Sequence, residues 1–138
     1  MIEQNFNIIS DYANVIEINQ KIREYLTDNK LEEHLCNAVE ICLTEALNNV
    51  IKHSYGGDNS KLIDINIKKD AKFLEIEIID TGTPRKNLVV NELDFDPSDI
   101  ENLPEGGMGL FIIKQLMDDM SYYSEEGKNY FILKKWLI

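Results

Sequence analysis

Cationic side chains are scarce in this chain: 14 lysines and arginines stand against 25 aspartates and glutamates, for a net charge of −11. A surplus of that size repels phosphate backbones and anionic membrane surfaces, which argues against nucleic-acid and membrane-surface roles. It still accommodates a nucleotide where a metal offsets the phosphates or the acidic groups stand clear of them. Cysteine is almost missing. Cys36 and Cys42 fall six residues apart in one predicted helix and point in different directions, so they are expected to stay unbridged as buried structural thiols in a reducing compartment. No apolar run approaches the roughly 20 residues that cross a bilayer. The opening "MIEQNFNIISDY" lacks a basic region, an apolar stretch and a small-residue cleavage site, so a cytoplasmic location is expected. Proline is limited to three residues, all between 81 and 108.

The remaining sequence is patterned. Residues 2 to 9 read as a short strand ending at Ser10, a suitable N-cap, after which Tyr12, Val15, Ile16, Ile22, Tyr25 and Leu26 recur at helical spacing. A second helix is predicted from about Leu31 to Ser54, with Leu35, Val39, Cys42, Ala46 and Val50 as its apolar stripe, and the glycines of "YGGDNS" end it. "KLIDINIKK" and "KFLEIEIID" alternate with period 2 and predict an antiparallel hairpin turning at Asp70 and Ala71. Its Ile63, Ile65, Ile67, Leu74, Ile76 and Ile78 should face a covered side, and Asp64, Asn66, Lys68, Glu75 and Glu77 water. Residues 81 to 108 have little periodicity, and a connection of that length inside a compact domain is expected to be a functional lid or a disordered insert. "GLFIIKQLMDDM" predicts a third helix and "KNYFILKKWL" a last strand, with a short strand possible at "MSYYS". A length of 138 residues suits one domain, and these elements imply a two-layer α+β sandwich: a mixed, mostly antiparallel sheet covered on one face by about three helices.

Three polar features stand out against this background. Glu45, Asn49 and His53 recur every four residues on the long helix, drifting about 40° per step, and form a polar ridge at the edge of its apolar stripe. That ridge reads either as a solvated face with a helix-end histidine or as a shelf on which Asn49 offers oxygen to Mg²⁺ and Glu45 accepts a proton. Asp80 closes the second hairpin strand before "TGTP"; it is either a plain strand end or an acceptor for an exocyclic amine, with Gly82 allowing close approach. Gly106, Gly107 and Gly109 lead straight into an apolar helix, where bare amides and a positive helix end suit phosphate if the loop is more than a flexible cap. The order is neither a Walker A loop nor the dinucleotide fingerprint. His34 reads as an exposed bystander, and Phe73, Tyr130, Phe131 and Trp136 as core or interface residues rather than a base-stacking platform.

Together, "TEALNNVIKHSY", "IIDTGTP" and "EGGMGLFIIKQLMDDM" resemble the N box and the two glycine boxes of the GHKL ATPases, and within them the bacterial anti-sigma factor serine kinases of the RsbW type. The resemblance runs from about residue 5 to 137 and implies the Bergerat α/β sandwich as a single domain over 1–138, with an ATP lid at about 81–108. It implies ATP and Mg²⁺ as cofactors, Glu45 as the catalytic residue, and Asn49 as metal ligand. By the same similarity Asn49, His53, Asp80, Gly82, Gly106, Gly107, Met108, Gly109 and Leu110 would bind ATP. The partners implied are a STAS-type anti-anti-sigma protein phosphorylated on serine and a sigma factor, and such kinases commonly form homodimers. The alternative is a non-catalytic nucleotide-binding module that captures a sigma factor or another regulator. The sequence departs from the pattern at Thr83–Pro84, where a second glycine is usual, at Glu105, where some relatives carry a basic residue, and at Asn129, where many carry threonine.

Overall fold

A computed structural model describes residues 1–85 and 107–138. Strand β1 (Ile2–Ile9) leads into helix α1 (Tyr12–Asp28) and helix α2 (Glu33–Asn49), which continues into a five-residue π-helical turn, Val50–Ser54. Strands β2 (Leu62–Lys69) and β3 (Phe73–Asp80) follow. Helix α3 (Gly107–Leu116) precedes strands β4 (Asp119–Glu125) and β5 (Lys128–Trp136).

The five strands form one sheet in the order β1-β2-β3-β5-β4. A mixed sheet was expected; all four ladders are antiparallel. The hairpin reads as anticipated: Asp70 accepts hydrogen bonds from the Lys72 and Phe73 amides at 2.7 and 3.0 Å and turns the chain. Ile63, Ile65, Ile67, Leu74, Ile76 and Ile78 are all buried, together with Phe131 and Leu133 of β5. Against them pack Ile22 and Leu26 of α1, Leu43 and Leu47 of α2, and Leu110 and Ile113 of α3. Each such side chain contributes roughly 1.5–3 kcal/mol by leaving water, so this layer contact is the main source of stability. On the opposite face the strands carry half-buried polar groups, among them Asn66, whose amide donates to Glu77 at 3.0 Å.

Helix boundaries differ from expectation for local reasons. Asp11, not Ser10, caps α1, its carboxylate accepting from the Ala13 amide at 2.9 Å. Ser10 is fully buried; its hydroxyl donates to the Asp58 carbonyl at 2.6 Å and accepts from the Lys61 amide at 3.1 Å, so it anchors the loop before β2. Helix α3 stops at Leu116 rather than running through "MDDM", because the Asp118 amide bonds the Lys134 carbonyl and draws the chain into β4, a strand of seven residues. The predicted α2 loses α geometry after Asn49: the Tyr55 amide reaches back five residues, to the Val50 carbonyl at 3.0 Å, and adds one residue to the turn. Both cysteines are buried and unbridged, as expected. Burial pushes the Cys42 thiol up to about 12, with Glu45 adding to the rise, so it stays protonated and inert.

Candidate active site

Strand register assembles the first half of the site. Because β3 and β5 are neighbours, Asp80 lies directly across from Asn129, which in turn lies across from Ser124 of β4. Asn129 donates from its amide to the Asp80 carboxylate at 2.7 Å and to the Gly82 carbonyl at 3.0 Å, and accepts from the Ser124 hydroxyl at 2.7 Å. The Gly82 amide donates to the same Asp80 oxygen at 2.9 Å. Asp80 is 3% exposed, and burial raises its carboxyl above the usual carboxylate range, against the lowering effect of hydrogen bonds from Asn129, Gly82 and the Ser54 side chain. A carboxylate is thus held in a low-dielectric position by donors on three elements.

Ser54 joins this network to the helices. It ends the π-helical turn, and its carbonyl accepts from the Thr83 amide at 2.8 Å while its side chain reaches Asp80. The extra residue in the turn is what brings Ser54 to the strand end. At α-helical pitch each residue advances 100°, and an i→i−5 turn advances less, so a side chain after Asn49 does not lie where a regular helix would carry it. Glu45 and Asn49 lie on α2 proper, and half-buried His53 sits on the wide turn one residue before Ser54. A cleft of about 400 Å³ lined by Ser54, Tyr55, Lys61, Thr81, Gly82 and Thr83 opens beside the network.

The second half of the site is the α2 ridge. Glu45 and Asn49 are half-buried and one turn apart, roughly 6 Å along the axis. The Asn49 amide nitrogen is buried with no hydrogen-bond partner among the described residues, which costs about 1–3 kcal/mol if nothing binds it. Glu45 packs against the first turn of α3, where a Cβ on Gly109 would lie 2.6 Å from its Oε2. Glycine at 109 leaves the carboxylate its place. Leu110 is 1% exposed and belongs to the core, so only its backbone faces this region. Gly107 and Met108 open α3, and Gly106 lies outside the described residues, as does most of the predicted lid.

No set of three or more His, Cys, Asp or Glu among the described residues could hold a metal. Mg²⁺ in nucleotide sites takes few protein ligands and several from phosphates and water, and a carboxamide one turn from a carboxylate fits that sparse donor set. Sequence reasoning overlooked Ser54, whose type gives no signal, and Arg85, whose amide donates to the Tyr122 hydroxyl at 2.9 Å. One terminal nitrogen of Arg85 is buried without a partner among the described residues, and burial lowers the guanidinium pKa. Asn129, a departure from the family pattern, is the hub of the network.

A family model described as "Histidine kinase-like ATPase domain" matches residues 8–135. The serine-protein kinase RsbW of Listeria monocytogenes is 32% identical over 93 residues, covering 64% of this chain and 59% of that protein. The protein of the same name from Bacillus mycoides is 33% identical over 101 residues, covering 70% of this chain and 61% of its own length. The chain thus spans about three-fifths of the curated relatives it matches. Two solved structures share the fold: the SiaB–SiaC complex of Pseudomonas aeruginosa, with a TM-score of 0.62 at 16% identity over 96% of this chain and 89% of that one, and the RsbU and RsbW domains of Rv1364c from Mycobacterium tuberculosis, with 0.65 at 13% identity over 98% and 32%.

Proposed function

The chain belongs to the histidine kinase-like ATPase domain family, and from that premise we propose that it binds ATP with Mg²⁺ and transfers the γ-phosphoryl group to a serine of a small STAS-type anti-anti-sigma protein, thereby controlling its own capture of a sigma factor. The observation that carries the reading is Asn49, whose amide is buried without a partner one turn from Glu45. A fold with no ligand to receive that group would gain by replacing it with an apolar side chain. In this reading the protein acts in the cytoplasm, as a homodimer.

Each residue has a task that its surroundings support. Asp80 accepts a hydrogen bond from the exocyclic amine of adenine, which a buried, prepositioned carboxylate does well. Gly82 lets the end of β3 close on the Ser54 carbonyl, which keeps Asp80 in place for the base. Asn49 and the amides that open α3 hold the phosphates, with half-buried His53 four residues beyond Asn49 as a further polar group. Mg²⁺, when bound beside Asn49, neutralises phosphate charge, which is most of what phosphoryl transfer requires. Glu45 accepts the proton of the serine hydroxyl as it attacks. Calorimetry should show heat on titration with Mg-ATP, and labelled ATP should leave phosphoserine on the STAS protein. Partner binding without label transfer would favour the non-catalytic module.

Asp80 offers a test that separates recognition from folding. In Asp80→Asn, one side-chain oxygen still accepts from Gly82 and Asn129, while the new amide faces Ser54 and the base as a donor. ATP should bind roughly 30-fold more weakly, about 2 kcal/mol, because donor meets donor. The folded pKa of Asp80 is raised, so its contribution to stability is fully present below the ordinary carboxylate pKa and is lost as pH rises through the raised value. At pH 7 the variant should therefore melt at or above the wild-type temperature, with the gap closing below about pH 4. A variant that binds ATP normally would remove Asp80 from base recognition.

A further inference from the structure

A trough of about 400 Å³ runs along the outer side of α2 and is lined by Asn37, Glu40, Ile41, Thr44 and Glu45. It ends on the carboxylate assigned above as proton acceptor, and its middle is Ile41, an isoleucine left 46% exposed. The polar groups around that isoleucine are not free surface side chains. Arg23 of α1 donates to Glu40 at 3.0 Å and to Asn37 at 2.7 Å. Asn19, 5% exposed, donates to the Thr44 hydroxyl at 2.7 Å, and Thr44 donates to the Glu40 carbonyl at 2.8 Å. Helix α1 thus fixes the wall of a concavity whose centre is apolar and whose end is chemical.

We propose that this trough seats the acceptor segment of the protein substrate: a short extended stretch with its serine over Glu45 and an apolar side chain over Ile41. This rests on the kinase reading above. Lengths decide the register. Asn37 to Glu45 spans eight residues of helix, roughly 12 Å, which about four residues of extended chain would cover. Ile41 precedes Glu45 by one turn, roughly 6 Å, so the apolar side chain stands two positions from the serine, the spacing at which a strand presents both residues on the same face. The rim complements such a segment: Arg23 and Asn37 supply polar partners to its backbone, and the net charge of −11 disfavours an acidic residue beside the serine.

The test is label transfer from ATP to a purified STAS-domain anti-anti-sigma protein, measured over a range of acceptor concentrations. Ile41→Asp should raise the KM for the acceptor at least tenfold while kcat at saturation and the Kd for ATP stay at wild-type values. Ile41→Leu should restore the wild-type KM. Ile16→Asp, on a 70% exposed position of α1 outside the trough, serves as the control and should change neither. An unchanged KM in Ile41→Asp, with the wild type active, overturns the docking assignment alone. Heat with ATP but no label on the acceptor in the wild type overturns the kinase reading, and the docking assignment with it.

Discussion

Gly82→Ala should cost about 3 kcal/mol of stability and lower the melting temperature by roughly 10 °C, with ATP binding lost alongside. A Cβ at this position would lie 2.2 Å from the Ser54 carbonyl oxygen, 2.5 Å from its carbon and 2.9 Å from the Tyr55 ring. Two of those atoms are backbone and cannot rotate away. Nor can residue 82 withdraw, because its amide is held by Asp80, its carbonyl by Asn129, and the next amide by Ser54. The clash must be relieved by separating the π-helical turn from the end of β3, which dismantles the cleft. A thermal melt and a nucleotide titration read both effects; a loss of less than about 2 °C would show that the two segments are not locked as described.

Glu45→Gln should reduce phosphoryl transfer by about 10²–10⁴-fold and leave the ATP Kd within roughly threefold, since a proton acceptor acts on the rate and not on nucleotide affinity. Single-turnover label transfer separates the two quantities. Gly109→Ala provides a graded comparison. Its Cβ would press on Glu45 Oε2, the far end of a flexible side chain, rather than on backbone. The fold should yield by turning the carboxylate aside, so transfer falls while the melting temperature holds. The two glycine boxes thus differ in what they protect: Gly82 protects the assembly of the site, Gly109 the orientation of one carboxylate. Undiminished transfer by Glu45→Gln would place the proton acceptor elsewhere.

The layers of this fold were legible because both periods are strong where burial is one-sided. Alternation in "LIDINIKK" and "FLEIEIID" set the buried faces without error, and the recurrence of Val39, Cys42, Ala46 and Val50 marked the inward side of α2, although Leu35 is only half-buried and the buried Leu43 and Leu47 lay outside that stripe. Contacts made between elements were not legible. Nothing in "NYFIL" says that Asn129 will stand opposite Asp80; that follows from β5 slotting between β3 and β4, a pairing between distant parts of the chain. Ser10 and Asp11 are both good caps by type, and only the burial of Ser10 against the Asp58 loop decides between them. The wide turn has no compositional mark either, so spacing alone reads the helix as regular through Ser54. The three boxes stand out by their order, while nothing in the sequence marks the places that Ser54 and Arg85 take in the fold.

That wide turn makes the relative placement of Glu45 and Ser54 a matter of counting along one stretch of chain. Glu45 and Ser54 belong to a single unbroken segment, so gaining or losing one residue between them would swing Ser54 through roughly 100° while Glu45 stayed in place. Changes of side chain within 46–53 leave that phase intact; changes of length do not. Beyond the demands on Asn49 and on the buried Ala46, Leu47, Val50 and Ile51, this stretch is therefore constrained in length as well as in composition.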